Sequence, residues 1–361
     1  MFCFSQVNRG LGSQFLQNLV KISHIPDGVG TIARSRTWDS MQVYSNFVQC
    51  TRRSFIREAT RSAQRRQAFR GTLLQGGESP HVPPSRLLKP FIFTVAFGTG
   101  SFLAVSVWEY ETARGRAKNA LKSFSGIPWF KSRVHDKRNK GLLQNVREWW
   151  NTLSPGERVF VPICAINLAI FGLWKVPQLN SFMMRYFCSN PAARAVCWPM
   201  VLSTFSHYSF LHLLANMYVL HSFIGAAVNA VGREQFLGLY LSAGVLSSFT
   251  SYAYKVLTKQ MGPSLGASGA IMAVLALVCV AYPHTELSIL FLPQFTFSAG
   301  SAIKAIMAID LAGCLFKWKF FDHAAHLGGA LFGLFWCQYG IEHLWPKREH
   351  FLRYWHQWRS R

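Results

Sequence analysis

From Pro90 onward the chain is cut into uncharged apolar runs, and that division restricts its folds more than any other feature. A helix needs ~20 mainly apolar residues to cross a bilayer, where a free backbone N–H or C=O finds no partner. Runs of this kind lie at Pro90–Trp108, Val159–Trp174, within Ala195–Gly232, and at Gln235–Tyr254, Gly262–Tyr282 and His323–Ile341, and Ile289–Phe316 holds another span that carries Asp310. They predict seven spans, one isolated and six close together, hence an all-α polytopic membrane protein. The formal net charge of +23 does not imply a nucleic-acid partner, because the basic residues sit in the N-terminal region, one loop and the tail, between or beside the spans. The partner implied instead is the lipid bilayer.

Residues 1 to about 89 are rich in Arg, Ser and Gln and poor in acids, lack the apolar core of a secretory signal, and are expected to hold a leader over 1–52. That is the composition of a mitochondrial transit peptide; a basic tail serving another compartment is the alternative. A basic linker is expected over 53–89, an extra membrane helix over 90–109 and a basic loop over 110–157. The six-span core follows over 158–345, then a basic tail over 346–361. Leu179–Pro199, apolar but carrying Arg185, Arg194 and two prolines, reads as a membrane-embedded loop, and Ile289–Phe316 as a span broken by Pro293. The eight cysteines show no CxxC pair or metal-ligand spacing, so neither metal nor other cofactor is expected.

Ionisable and strongly polar groups inside a membrane are costly and mark function by default. Here they are His207, His212, Asn216, His221, Ser268, Asp310, His323 and His326. Ser268 lies among small residues in Gly266-Ala267-Ser268-Gly269, and His326 opens the last span with Gly329 and Gly333 as a GxxxG face. Two small-faced helices pack closely, which would bring an imidazole to a serine hydroxyl, the minimum for nucleophilic catalysis. His212 and Asn216, four apart and so on one helix face, suit donors to a developing oxyanion. Each piece has a plainer reading: small residues as packing, a histidine at a helix end as interfacial, a His–Asn pair as an interhelical hydrogen bond. A transporter or a catalytically silent adaptor remains the alternative to an enzyme.

Taken together, GxSG at Gly266–Gly269, HxxxN at His212–Asn216 and AHxxGxxxG at Ala325–Gly333 resemble the motifs of rhomboid intramembrane serine proteases. The extra front helix resembles the mitochondrial branch, a 1+6 arrangement. The resemblance implies Ser268 as nucleophile and His326 as general base, with no acid completing a triad. It implies an oxyanion hole of His212, Asn216 and the Ser268 amide, with His207, Gly266, Gly269, Gly329, Gly333 and Asp310 in supporting roles. Single-span mitochondrial inner-membrane proteins are the implied substrates, in quality control, dynamics and cell-death signalling. Leader targeting puts the N-terminus in the matrix and, with seven spans, the C-terminus in the intermembrane space. Two positions depart from bacterial relatives. Met272 stands where a tyrosine often packs on the base, and Trp198-Pro199 where the first loop often carries Trp-Arg.

Overall fold

A computed structural model describes residues 2–4, 82–125, 141–289 and 292–360. Apart from Phe2–Phe4 and the stretch from Val82, the expected leader and linker lie outside the described residues. The molecule is an all-α polytopic membrane protein, a core of packed helices with one further helix in front. Among the described residues, three helices meet the length and apolarity needed to cross a membrane on their own: Pro84–Leu121, Pro155–Leu173 and Phe210–Val231. The others are shorter or more polar.

Helix α1 (Leu88–Ser125) has 38 residues, ~57 Å at 1.5 Å per residue, well beyond a ~30 Å hydrocarbon layer. The 110–157 stretch, expected as a loop, is therefore corrected: α1 runs on to Ser125, and α2 covers Leu142–Thr152. Charged side chains mark where a helix leaves lipid, not where it ends. The core opens at α3 (Pro155–Leu173) with a capping box: Ser154 Oγ accepts from Glu157 N–H, and Glu157 Oε2 accepts from Ser154 N–H. The connection that follows is a loop and not a span, as expected, and carries two short helices, α4 (Asn180–Tyr186) and α5 (Cys197–Leu202). It is pinned by Trp174 Nε1 donating to Ser206 Oγ at 2.8 Å.

Helix α6 (Phe210–Val231) turns directly into α7 (Arg233–Leu257) through Gly232, whose φ of +83° suits only glycine without strain. Helix α8 (Ser268–Ala281) is the centre of the fold, with Gly269 through Cys279 all buried. At 14 residues it is ~21 Å long, too short to bridge the bilayer, and sealed by protein on every side. A further correction concerns the Ile289–Phe316 run. Strands β2 (Glu286–Ile289) and β3 (Leu292–Ser298) form an antiparallel hairpin, and only then does α9 (Ala299–Leu315) begin. Pro293 cannot continue a helix, and the alternation Phe295-Thr296-Phe297-Ser298 suits a strand. Strand β1 (Phe2–Phe4) pairs with β2 through backbone. The last core helix, α10 (His323–Phe335), passes into a π-helical stretch at Trp336–Leu344 and ends in the tail helix α11 (Arg348–Ser360).

Two contacts organise these helices. Helix α10 lies directly on α8: a Cβ at Gly329 would overlap the Gly269 carbonyl, and one at Gly333 the Ala273 carbonyl. Helix α1 lies on α7. A Cβ at Gly238 would come within 2.9 Å of the Phe102 ring, so its absence makes room for that side chain, and Ser242 Oγ donates to the Gly98 carbonyl.

Candidate active site

Ser268 is the first residue of α8 and His326 the fourth of α10. The glycine contact between these helices leaves His326 Nε2 2.9 Å from Ser268 Oγ. Both side chains are partly open, whereas Ala267 and Gly269 beside the serine are buried. The loop leading to Ser268 is held by backbone groups. Gly266 N–H donates to Ser203 O at 2.9 Å, and Ala267 N–H donates to His207 Nε2 at 3.3 Å. His207 is fully buried, and its Nε2 must be unprotonated to accept that bond.

Gly266 has a φ of +131°, and a Cβ there would come within 2.8 Å of His212 Cε1. Glycine is required twice over, for the backbone and for the imidazole. His212 thus packs on the serine loop. Asn216, one turn along α6 and buried, donates through Nδ2 to the His212 carbonyl at 2.8 Å, so that contact runs within its own helix. His221 packs edge-on against Phe160, a structural contact.

Asp310, on α9 and 4% exposed, faces His326. Its Oδ1 lies 2.7 Å from His323 Nδ1 and 3.4 Å from His326 Nδ1. An acid therefore does stand behind the histidine, although the resemblance implies none to complete the set. Gly313 makes room for the His323 ring. These contacts, with the Phe321 ring 6.1 Å from that of His326, hold the imidazole where Met272 offers no hydroxyl.

The segment from 194 to 342 matches the model of the Rhomboid domain. The chain is 51% identical to the mitochondrial presenilin-associated rhomboid-like protein of Rattus norvegicus over 284 residues, 78% of this chain and 74% of that protein. The chain belongs to the rhomboid family. The human presenilin-associated rhomboid-like protein is 50% identical to this rhomboid over the same share. Rhomboid protein 1, mitochondrial, of Saccharomyces cerevisiae is 35% identical over 179 residues, 49% of this chain and 51% of its own. With its apolar helices, this rhomboid is a mitochondrial membrane protein.

Two features of this rhomboid go beyond what its sequence suggests. Trp198 packs edge-on against Phe93 of α1, with centroids 5.8 Å apart, so the first loop is anchored on the extra helix. Asp322, the N-cap of α10, gathers Ser251, Lys255 and Ser264 around its carboxylate. An aspartate just before an apolar run is a readable N-cap signal, but nothing in the sequence points to its other partners. Among the described residues no group of three or more His, Cys, Asp or Glu is arranged to hold a metal ion.

Proposed function

We propose that this rhomboid is a serine endopeptidase of the mitochondrial inner membrane that cuts single-span proteins in or beside their membrane segment. The observation carrying the proposal is the 2.9 Å contact between His326 Nε2 and Ser268 Oγ at the recessed end of a helix too short to span. In the proposed mechanism Ser268 Oγ attacks the substrate carbonyl carbon while His326 Nε2 takes its proton. The carbonyl oxygen becomes an oxyanion, met by His212, Asn216 and the Ser268 N–H; one such donor typically lowers the barrier by ~3–4 kcal/mol. His326 then protonates the leaving amine, the C–N bond breaks and an acyl-enzyme remains. Water, deprotonated by the same imidazole, releases the acid and restores the serine. The substrate helix must unwind locally, because an intact helix engages its carbonyls internally. Orientation is proposed with the N-terminus in the matrix and the C-terminus in the intermembrane space. The biological setting proposed is mitochondrial quality control, dynamics and cell-death regulation, with no cofactor required.

The test is cleavage of a tagged single-span inner-membrane protein in cells carrying wild type, Ser268→Ala or His326→Ala at equal levels. Product is expected from wild type alone. Undiminished product from either variant would overturn the assignment and return the site to a binding or transport role.

A further inference from the structure

Four residues before Ser268 stands Ser264, and four residues before His326 stands Asp322. The two are hydrogen-bonded to each other, Ser264 Oγ donating to Asp322 Oδ2, just as Ser268 and His326 are four residues further on. The same carboxylate oxygen accepts from Ser251 Oγ at 2.5 Å and meets Lys255 Nζ at 3.5 Å, both on the last turns of α7. Lys255 also donates to Ser264 Oγ and to the Gly262 carbonyl at 3.1 Å. The other carboxylate oxygen accepts from Ala325 N–H at 3.1 Å, capping the helix whose next residue is His326. Ser264 itself is tied by reciprocal backbone bonds to Ser189, at 2.9 and 2.8 Å.

A glycine-faced contact such as that of α8 with α10 sets how closely two helices approach. We infer that Asp322, with Ser264, Ser251 and Lys255, is a positioning clamp that fixes the register of the base-bearing helix against the nucleophile loop and so sets the Ser268–His326 separation. This rests on the protease reading and deepens it. Asp322 lies outside the spanning segments. Burial pushes its carboxyl up, but the Lys255 ammonium and hydrogen bonds from Ser251, Ser264 and Ala325 outweigh it and hold the group down to about 2. The carboxylate is therefore charged throughout the working pH range and accepts from every donor around it.

Asp322→Asn separates the clamp from the cap. Its amide oxygen can still receive Ala325 N–H, while its NH2 now meets the Lys255 ammonium, donor against donor. Replacing Lys255 with Met as well removes that conflict, and the serine hydroxyls, able to donate or accept, can turn to receive the amide. The experiment measures, on purified full-length protein in detergent, the labelling rate of Ser268 by a fluorophosphonate probe and kcat and KM for a single-span substrate. A misplacement of ~1 Å costs up to ~100-fold, so Asp322→Asn is expected to lower labelling and kcat ~10- to 100-fold with KM within about twofold. Lys255→Met/Asp322→Asn is expected to recover at least ~tenfold of that loss. Equal labelling of wild type and folded Asp322→Asn, or no recovery in the double variant, would overturn the clamp while leaving the protease reading intact. Wild type that is not labelled at Ser268 would overturn both. Should Asp322→Asn fail to accumulate, Ser264→Ala removes one hydroxyl only, and a wild-type rate there would equally overturn the clamp.

Discussion

The histidine pair shows how much a site inside a membrane depends on single atoms. For His326 to act as base, its Nε2 must be free to accept the serine proton, which requires the Nδ1–H tautomer. Asp310 Oδ1 sits on that Nδ1 side at 3.4 Å, the outer limit for a direct bond, and is bound more tightly by His323 at 2.7 Å. At that distance the carboxylate bears on His326 through its position and not through a hydrogen bond, and His323 keeps the carboxylate in place. Asp310→Asn preserves shape and removes the charge. The expected result is a drop of more than ~10-fold in the rate at which each folded molecule labels Ser268, smaller than the ~10⁴ seen where such a carboxylate is aligned with its histidine. A purely structural Asp310 would instead lower thermal stability and leave the rate per folded molecule unchanged.

At the scale of elements, the α8–α10 contact decides whether any of this chemistry is possible. It is openly legible in the sequence: small residues recurring every fourth position in an uncharged run have few uses other than close approach of two backbones. Serine and histidine are legible for the same reason, since polar atoms stand out against apolar runs. The hairpin of β2 and β3 is not, because apolarity alone does not separate a span from a buried strand, and Pro293 fits a broken helix as well as a strand. The clamp is hidden more deeply. Lys255 and Asp322 are 67 residues apart, lie on different elements, and obey no periodicity that would connect them. The α8–α10 contact makes its own prediction. Even alanine at Gly333 places a Cβ onto the Ala273 carbonyl, a backbone atom that cannot swing aside. Gly333→Ala is expected to destabilise the protein by ~1–3 kcal/mol, the usual cost of overpacking. A thermal melt within a degree of wild type would mean that the two helices are not held this close.

Across the whole molecule, the extra helix is joined at two levels to the chain that follows the helix bearing His326. Within the core, Phe102 of α1 stacks on Trp336, with centroids 4.1 Å apart, where α10 passes into its π-helical stretch. Such insertions recur at points where a helix changes path for functional reasons. Beyond it, the polar end of α1 receives the tail helix. Arg359 pairs with Glu111 at 2.7 Å, Trp355 Nε1 donates to Glu111 at 3.1 Å, Arg348 pairs with Glu109 at 3.3 Å, and Tyr110 Oη meets His356. A single exposed ion pair is worth ~0.2–1 kcal/mol, but here one glutamate serves both an arginine and an indole. Helix α1 thus braces the chain that continues from the helix bearing His326, from Trp336 through the tail, which gives the front helix a mechanical task outside the site itself. Glu111→Arg sets like charges against Arg359 and should release α11 while leaving the core packed. The expected signature is faster cleavage of the tail by added trypsin, normalised for the new arginine with a Glu111→Gln control, and a melting temperature within a few degrees of wild type. Tail cleavage no faster than wild type in both variants would mean that α11 is held by its continuity with α10 and not by the acids of α1.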